Sequence, residues 1–233
     1  MPKAIIVGAT SGIGKELALQ LLAKGWELGI AGRRTERLEE IKAKAPEKIR
    51  IRRIDVRSDD AASDLLALIA DLGGMDLYVH CSGIGCQNME LNPGAELNTV
   101  ATNVDGFVRL VDCAFSYFLG NGGGHLCIIS SIAGTKGLGA ASAYSASKVF
   151  QNTYLDALEQ LSVMRQCPMT FTDVRPGFVD TDLLADGKSY PFKMNVTDVA
   201  SSIVKGIETK KRVLVIDWKY KLLVFFWRLV PQC

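Results

Sequence analysis

The stretch KAIIVGATSGIGKEL, residues 3–17, decides the fold of this chain. It opens with an apolar run that predicts a buried strand, and the pattern from Ile13 onward predicts a helix. Between the two, Gly8, Gly12 and Gly14 follow a G-x-x-x-G-x-G spacing. A glycine turn between a first strand and a first helix lets the backbone approach a pyrophosphate and directs free helix N–H groups towards it. Glycines can also form a plain tight turn, but this position favours a dinucleotide site.

Short apolar runs alternate with longer helical patterns along the rest of the chain. Strands are predicted at 3–7, 27–31, 49–54, 76–80, 125–130, 169–174 and 212–216. Helices are predicted at 13–24, 35–45, 59–72, 95–119 with a break near Gly106, 142–164 and 197–208. Several strands are apolar on both faces, which is typical of a parallel sheet covered by helices on both sides. The expected fold class is therefore α/β, a single doubly wound Rossmann-type domain with a parallel sheet of about seven strands.

Composition fits one globular domain and excludes some functions. The chain has 233 residues, of which 48% are hydrophobic and 22% charged. Its net charge of +2 does not favour a nucleic-acid partner. The six cysteines contain no C-x-x-C pair and there are two histidines, so neither a metal site nor a disulfide framework is expected. The N-terminus enters a strand without a signal or transit segment, which predicts a cytoplasmic protein.

The end of the second strand, IAGRRTERL at 30–38, bears on the choice of nicotinamide cofactor. An acidic residue at this place holds the ribose 2′-hydroxyl of NAD(H), whereas an arginine meets the 2′-phosphate of NADP(H). Here Gly32 stands at the usual acidic position and is followed by Arg33 and Arg34. A guanidinium binds phosphate through paired hydrogen bonds. NADP(H) is therefore favoured, with Arg33 as the main contact; Arg34 could simply solvate the next helix, and NAD(H) remains possible.

A second group of polar residues lies in SSIAGTKGLGAASAYSASK, residues 130–148. Tyr144 and Lys148 are one helical turn apart, and Ser131 precedes the tyrosine by thirteen residues. A free tyrosine, with a pKa of about 10, is a poor acid or base at neutral pH. A nearby ammonium lowers that pKa by stabilising the phenolate. Singly these residues could be a loop serine, a packed aromatic and a solvated lysine; together they predict a proton-transfer site.

Together with GATSGIG at 8–14, these residues resemble the short-chain dehydrogenase/reductase family of the classical type, over about residues 3–208. The resemblance implies an NADP(H)-dependent carbonyl reductase or alcohol dehydrogenase with Tyr144 as general acid/base. It implies that Lys148 also binds the nicotinamide ribose, and that Asn103 holds a water linking the lysine to solvent. A homodimer or homotetramer is implied as well, through helices at about 106–119 and 147–163.

The resemblance also assigns residues around the cofactor. The catalytic set is Asn103, Ser131, Tyr144 and Lys148, and the cofactor-binding set is Gly8, Thr10, Ser11, Gly12, Ile13, Gly14, Arg33, Arg34, Asp55, Val56, Gly83, Tyr144, Lys148, Pro176, Gly177, Val179 and Thr181. In the family, the aspartate at the position of Asp55 contacts adenine, and the segment from Pro176 packs along the nicotinamide and its phosphates. One segment departs, because HCSG at 80–83 stands where the family usually has NNAG. We expect His80 to be a hydrogen-bonded core imidazole outside the site.

Residues 1–216 are expected to form the catalytic domain and 217–233 an aromatic and basic tail. As a helix from Trp218 to Val230, the tail places five apolar residues on one side, namely Trp218, Leu222, Phe225, Phe226 and Leu229, and Lys221 and Arg228 on another. Two alternatives remain open. The tail could pack on its own domain or a partner subunit, which is favoured for its first half, or it could contact a membrane surface peripherally. The short lid at 182–196 predicts an apolar mouth and favours a bulky or apolar carbonyl substrate.

Two functions from different classes fit the sequence. The first is an active oxidoreductase acting on a small-molecule carbonyl or alcohol. The second is a non-catalytic protein that binds or senses NADP(H) with the same fold. The complete set of Ser131, Tyr144 and Lys148 favours the enzyme, whereas HCSG is the feature that favours the second function. Turnover of any carbonyl compound separates them; cofactor binding does not.

Overall fold

The structure, a computed structural model, describes residues 1–184, 187 and 189–231. At its centre lies one sheet of seven parallel strands in the order β3-β2-β1-β4-β5-β6-β7. The strands are β1 Lys3–Val7, β2 Glu27–Gly32, β3 Ile49–Arg53, β4 Leu77–His80, β5 Gly124–Ile129, β6 Met169–Arg175 and β7 Val213–Val215. The predicted α/β fold with a doubly wound parallel sheet is confirmed.

Helices cover both faces of the sheet. They are α1 Gly12–Ala23, α2 Thr35–Lys42, α3 Ala61–Leu72, α4 Pro93–Val100, α5 Gly106–Gly120, α6 Ser142–Met164, α7 Val196–Glu208 and α8 Trp218–Leu229. Apolar side chains of α1, α2, α7 and α8 pack on one face, and those of α3, α5 and α6 pack on the other. Successive residues of a strand point to opposite faces, so Ile6 joins the first cluster and Ile5 the second.

The predicted break near Gly106 is a π-helical segment, Ala101–Asp105, between α4 and α5. Gly106 follows it because a Cβ there would lie 2.7 Å from Cγ2 of Val56, so only glycine allows this close approach. The π-helical turn contains Asn103, which is buried. Such wide turns inside α-helices occur frequently at functional sites.

The carboxyl edge of the sheet positions the site. β1 lies between β2 and β4, and the strand order runs in opposite directions on the two sides of this junction. In a doubly wound sheet, ligands bind in the crevice at such a switch point. The loops after β1, β2, β4, β5 and β6 therefore supply the residues of the candidate site.

The C-terminal helix α8 packs against the domain through buried Tyr220 and Val224. A Cβ at Gly177 would lie 2.2 Å from Cζ of Tyr220, so the ring rests directly on the backbone after β6. The Tyr220 hydroxyl accepts a hydrogen bond from Phe178 N (3.1 Å) and donates to Pro191 O (3.0 Å). Among the residues that the structure describes, no helix combines the length and apolar content needed to cross a bilayer.

Candidate active site

A cavity of about 770 Å³ opens at the carboxyl edge of the sheet. Every residue that the sequence predicted for catalysis or cofactor binding lines this cavity except Asn103, which is buried behind it. Three residues of α8, namely Tyr220, Leu223 and Trp227, line it too. The sequence did not predict their place there, because nothing in the tail's own pattern shows where its helix docks.

The glycine turn after β1 is shaped for close approach of a ligand. Gly8 and Gly12 adopt positive φ angles of 91° and 53°, which favour glycine. A Cβ at Gly14 would lie 2.3 Å from Gly8 O, so the turn closes only without a side chain. Ser11 at the start of α1 makes no side-chain capping bond, which leaves the first N–H groups of the helix available. These features fit a pyrophosphate group.

The arginines after β2 differ in their surroundings. Arg34 donates hydrogen bonds to Thr10 Oγ1 (2.8 Å) and Ser11 Oγ (2.7 Å), so it is held against the glycine turn instead of only solvating α2. Arg33 is exposed at the cavity. A Cβ at Gly32 would lie 2.6 Å from Cγ2 of Thr10, so the acidic side chain common at this position has no room. Two arginines and no acidic side chain therefore stand at the end of β2.

Ser131 and Tyr144 meet inside the cavity. Ser131 is buried, its Oγ accepts from Ala133 N (3.0 Å), and its side chain also hydrogen-bonds Tyr144. A Cβ at Gly85 would lie 2.4 Å from Cδ2 of Tyr144, so the chain after β4 packs directly on the tyrosine ring. Sequence reasoning missed Gly85, although a second glycine two residues after Gly83 was the visible signal.

The expected lowering of the Tyr144 pKa was wrong for this structure. Burial raises the pKa of Tyr144 above its ordinary value, and the hydrogen bond from Ser131 opposes that rise. The Lys148 ammonium lies over the Tyr144 ring, with Nζ 5.8 Å from the ring centroid. Its hydrogen bonds go to other acceptors, so desolvation of the phenol dominates. The phenol therefore keeps its proton at neutral pH.

Lys148 is almost fully buried and its ammonium is held from two sides. It donates to Ile129 O and to Gln151 Oε1, each at 3.0 Å. Burial lowers the pKa of Lys148 to about 8, and the negative charge of Asp173 opposes this shift. The lysine is thus a desolvated ammonium whose pKa lies close to neutral pH, so that nearby charges affect its protonation.

Gln151 connects Lys148 to Asn103. Its Nε2 donates to the main-chain oxygen of Asn103 at 2.9 Å, while its Oε1 accepts from the lysine. The Asn103 side chain is occupied as well, because its Oδ1 accepts from Ile84 N (2.9 Å) and its Nδ2 donates to Ile84 O (2.7 Å). Each oxygen of Asn103 therefore accepts one protein donor. Gln151 thus bridges Lys148 and Asn103 directly, and the water expected at Asn103 stays a prediction.

A buried carboxylate on β6 lies near Lys148. Asp173 is fully buried and accepts from Ser130 Oγ (2.5 Å) and from Arg175 Nε (2.7 Å). Arg175 also forms an ion pair with it at 2.6 Å. Both side chains are thus held by hydrogen bonds and an ion pair in the interior. Sequence reasoning treated 169–174 as an ordinary strand, although two opposite charges two residues apart in an otherwise buried strand were a signal.

The HCSG segment keeps a glycine at the site. A Cβ at Gly83 would lie 3.4 Å from Asn103 Oδ1 and 3.6 Å from Lys148 Nζ. His80 is a buried imidazole whose Nδ1 lies 3.0 Å from the Tyr78 hydroxyl, as predicted. Burial lowers the pKa of His80 to about 3, with a further contribution from Lys148, so this ring is neutral.

The chain matches the family described as short chain dehydrogenase over residues 2–190. An uncharacterised oxidoreductase of Mycobacterium tuberculosis is 31% identical to it, over 99% of this chain and 94% of the relative. An uncharacterised oxidoreductase of Myxococcus xanthus is also 31% identical, over 98% of this chain and 92% of the relative. Dehydrogenase/reductase SDR family member 7B of Xenopus tropicalis is 28% identical, over 97% and 81% of the two chains.

Solved structures share the architecture. A short-chain type dehydrogenase/reductase from Mycobacterium ulcerans superposes with a TM-score of 0.81 at 24% identity, over 95% of this chain and 90% of that chain. A variant of actinorhodin polyketide ketoreductase, in a crystal structure with NADPH, gives a TM-score of 0.79 at 25% identity, over 92% and 95%. Its fold, its family match and its relatives together show that this chain is an oxidoreductase of the short-chain dehydrogenase/reductase family, classical type.

Proposed function

We propose that this protein is an NADP(H)-dependent oxidoreductase that transfers hydride between the nicotinamide and a carbonyl or alcohol, with Tyr144 as general acid/base. One observation carries the proposal: Ser131, Tyr144 and Lys148 line the same cavity as the glycine turn and Arg33. A cavity that joins a dinucleotide-binding edge to a buried acid/base group suits hydride transfer coupled to proton transfer.

NADP(H) fits the residues at the sheet edge. The backbone of the glycine turn and the free N-terminus of α1 would hold the pyrophosphate, Asp55 and Val56 would border the adenine, and Arg33 would meet the 2′-phosphate. Thr181 lies opposite the turn, because a Cβ at Gly12 would lie 3.1 Å from its Cγ2. The related ketoreductase structure contains NADPH, which supports the same preference here.

The chain's own residues manage the proton. When bound, the cofactor supplies or accepts the hydride. In the reductive direction the Tyr144 hydroxyl donates its proton to the carbonyl oxygen, and the Ser131 hydroxyl donates a hydrogen bond to the same oxygen. The Lys148 ammonium stabilises the phenolate that Tyr144 leaves, and Gln151 keeps the ammonium in place. Because burial raises the pKa of Tyr144, the free protein holds the phenol in the donor form that carbonyl reduction requires.

The substrate we propose is a bulky or apolar carbonyl compound. Apolar side chains contributed by the lid and α8 line the cavity together with the catalytic residues, namely Leu183, Phe192, Leu223 and Trp227. Apolar walls with few converging polar groups are typical of sites for apolar small molecules.

The homodimer or homotetramer and the cytoplasmic location stay predictions. Exposed Val149 and Leu161 on α6 support assembly.

Oxidation of NADPH, followed over a panel of aldehydes, ketones and diketones and repeated with NADH, tests this function. We expect turnover with at least one apolar carbonyl and a lower KM for NADPH than for NADH. Arg33→Ala is expected to raise the KM for NADPH by roughly 10- to 100-fold, because a charged hydrogen bond to the phosphate is lost. The KM for NADH should stay unchanged.

Arg53→Ala is the matched control, since this exposed arginine at the end of β3 does not line the cavity. Equal use of both cofactors by the unaltered protein would contradict the NADP(H) preference. Absence of turnover over the whole panel, with NADPH bound, would favour the non-catalytic function.

A further inference from the structure

The C-terminal helix α8 presents an apolar surface to solvent on the side opposite its packing face. Its outer face is formed by Trp218, Leu222, Phe225, Phe226 and Leu229, with exposed fractions of 65%, 49%, 59%, 61% and 68%. At about 100° per residue these five side chains form one stripe, directly opposite Tyr220 and Val224, which are buried in the domain. Adjoining aromatic and leucine side chains on one exposed stripe mark an interaction surface.

Cations border this outer face on both sides. On the helical wheel, Lys219 lies at one edge of the stripe, and Lys221 and Arg228 lie together at the other. All three are exposed. Residues 218–229 contain no acidic side chain, and the carboxylate of Asp217 accepts from Lys219 N at the start of the helix. Three cations therefore lie beside the apolar stripe, against the single carboxylate of Asp217 at the start of the helix. Lys219 Nζ also lies 5.4 Å from the centroid of the Phe192 ring.

We propose that the outer face of α8 docks on an anionic lipid surface. Aromatic and leucine side chains enter the boundary between headgroups and acyl chains, while flanking lysine and arginine side chains reach the lipid phosphates. The helix has 12 residues. It is about 18 Å long, well short of the ~30 Å hydrocarbon core, so it lies along the interface and does not span it.

The charge of α8 favours a lipid surface over a second copy of the chain as the partner of this face. Two copies joined through this face would bring three cations against three, with only the N-cap carboxylate of Asp217 on each helix to offset them. Like charges across an interface oppose association. An anionic lipid surface instead attracts lysine and arginine side chains that lie near it.

Docking would also bring the cavity close to the bilayer. Leu223 and Trp227 lie between the outer face and the packed face, and both line the cavity. This helix therefore joins a lipid-facing stripe to the wall of the candidate active site. The lipid contact itself does not depend on the proposed oxidoreductase function.

Flotation of the full-length protein with vesicles tests the proposal. One set of vesicles contains phosphatidylcholine alone and the other a mixture with phosphatidylserine. We expect flotation with the mixed vesicles that weakens as salt is raised. The double variant Phe225→Ser/Phe226→Ser should weaken binding at least about tenfold, because two phenyl groups no longer leave water. Lys221→Ala/Arg228→Ala should remove the preference for phosphatidylserine.

Val163→Ser/Met164→Ser is the matched control, since these side chains are as exposed, at the end of α6, and lie outside α8. It should float like the unaltered protein, and circular dichroism checks that every variant is folded. Failure of the unaltered protein to float, or equal flotation of the Phe225/Phe226 variant, would overturn the proposal. Light scattering that shows a dimer lost in that variant would instead assign the face to a second copy.

Discussion

Gln151 makes its two hydrogen bonds at the centre of the candidate site, one turn of α6 beyond Lys148. Its acceptor oxygen holds the lysine ammonium and its amide group holds the main-chain oxygen of Asn103. A buried side-chain amide bonded at both ends has one orientation, so it fixes the place of the ammonium that it contacts. We infer that Gln151 is a positioning residue for Lys148.

Replacing Gln151 with leucine removes both hydrogen bonds and should lower kcat about tenfold, the loss of one charged hydrogen bond. Loss of the acceptor disfavours the charged lysine, so the basic limb of the kcat–pH profile should move to lower pH. Gln151→Glu restores an acceptor with a negative charge and should move that limb to higher pH.

Gln20→Leu is the control for these variants, because Gln20 is also bonded at both ends but lies on α1, where it bonds Thr197 and Ser201 of α7. Steady-state kinetics over a range of pH measures all three variants. A drop in kcat with an unmoved pH profile in both Gln151 variants would show that the residue only supports packing.

Among individual residues, the sequence predicted those contacts that follow from spacing along one helix. Tyr144 and Lys148 are one turn apart, and their position on one face follows from the helix itself. Gln151 also follows by spacing, but its partner Asn103 is 48 positions away and the contact depends on a π-helical turn. The raised pKa of Tyr144 could not be predicted from the sequence either, because it depends on burial and not on spacing.

The hydroxyl of Tyr220 ties α8 to the lid. It accepts from Phe178 N and donates towards Pro191 O, so one side chain joins the backbone after β6 to Pro191 within the lid. The ring packs on Gly177, where no side chain would fit. The helix is thereby part of the wall of the site.

Tyr220→Phe keeps the ring and removes the bonds. We expect a loss of about 1 kcal/mol, or a Tm lowered by roughly 2–4 °C, because Phe178 N then lacks its partner. Faster proteolysis within the lid should accompany it. Differential scanning calorimetry and limited trypsin digestion measure both, with Tyr117→Phe on α5 as the control. An unchanged Tm and digestion pattern would show that the lid is held by other contacts.

The elements themselves were largely predictable. Apolar runs gave all seven strands to within one or two residues, because buried parallel strands are apolar on both faces. The break near Gly106 was predicted, but its π-helical form was not, since it follows from the packing of the glycine on Val56. The helix of the tail was expected and its contact with the cavity was not, because docking depends on Gly177 far away in sequence.

For the whole molecule, the buried lysine couples stability to pH. The pKa of Lys148 is about 8 in the folded protein, against an ordinary 10.5. Below about pH 8 both the folded and the unfolded chain hold the proton, and burial of the charge costs the folded state about 3 kcal/mol. Between these two pKa values the unfolded chain binds more protons, so the free energy of unfolding rises with pH.

Lys148→Met removes this titration. The stability of the unaltered protein relative to the variant should therefore rise by about 2–3 kcal/mol from neutral pH to about pH 10. Urea denaturation of both proteins without cofactor, repeated across that range, gives the difference directly, and other titrating groups cancel. A difference that stays constant with pH would mean that the lysine keeps its ordinary pKa.

The proposed function depends above all on Tyr144, which would give its proton to a carbonyl oxygen beside NADPH. The most direct measurement compares Tyr144→Phe with the unaltered protein, by NADPH fluorescence for binding and NADPH oxidation for turnover. Tyr154→Phe, also on α6 and bonded to Asp112 away from the cavity, is the control. We expect unchanged NADPH binding and a kcat lowered by about 10²–10⁴-fold in Tyr144→Phe alone. Undiminished turnover in that variant would show that Tyr144 is not the proton donor.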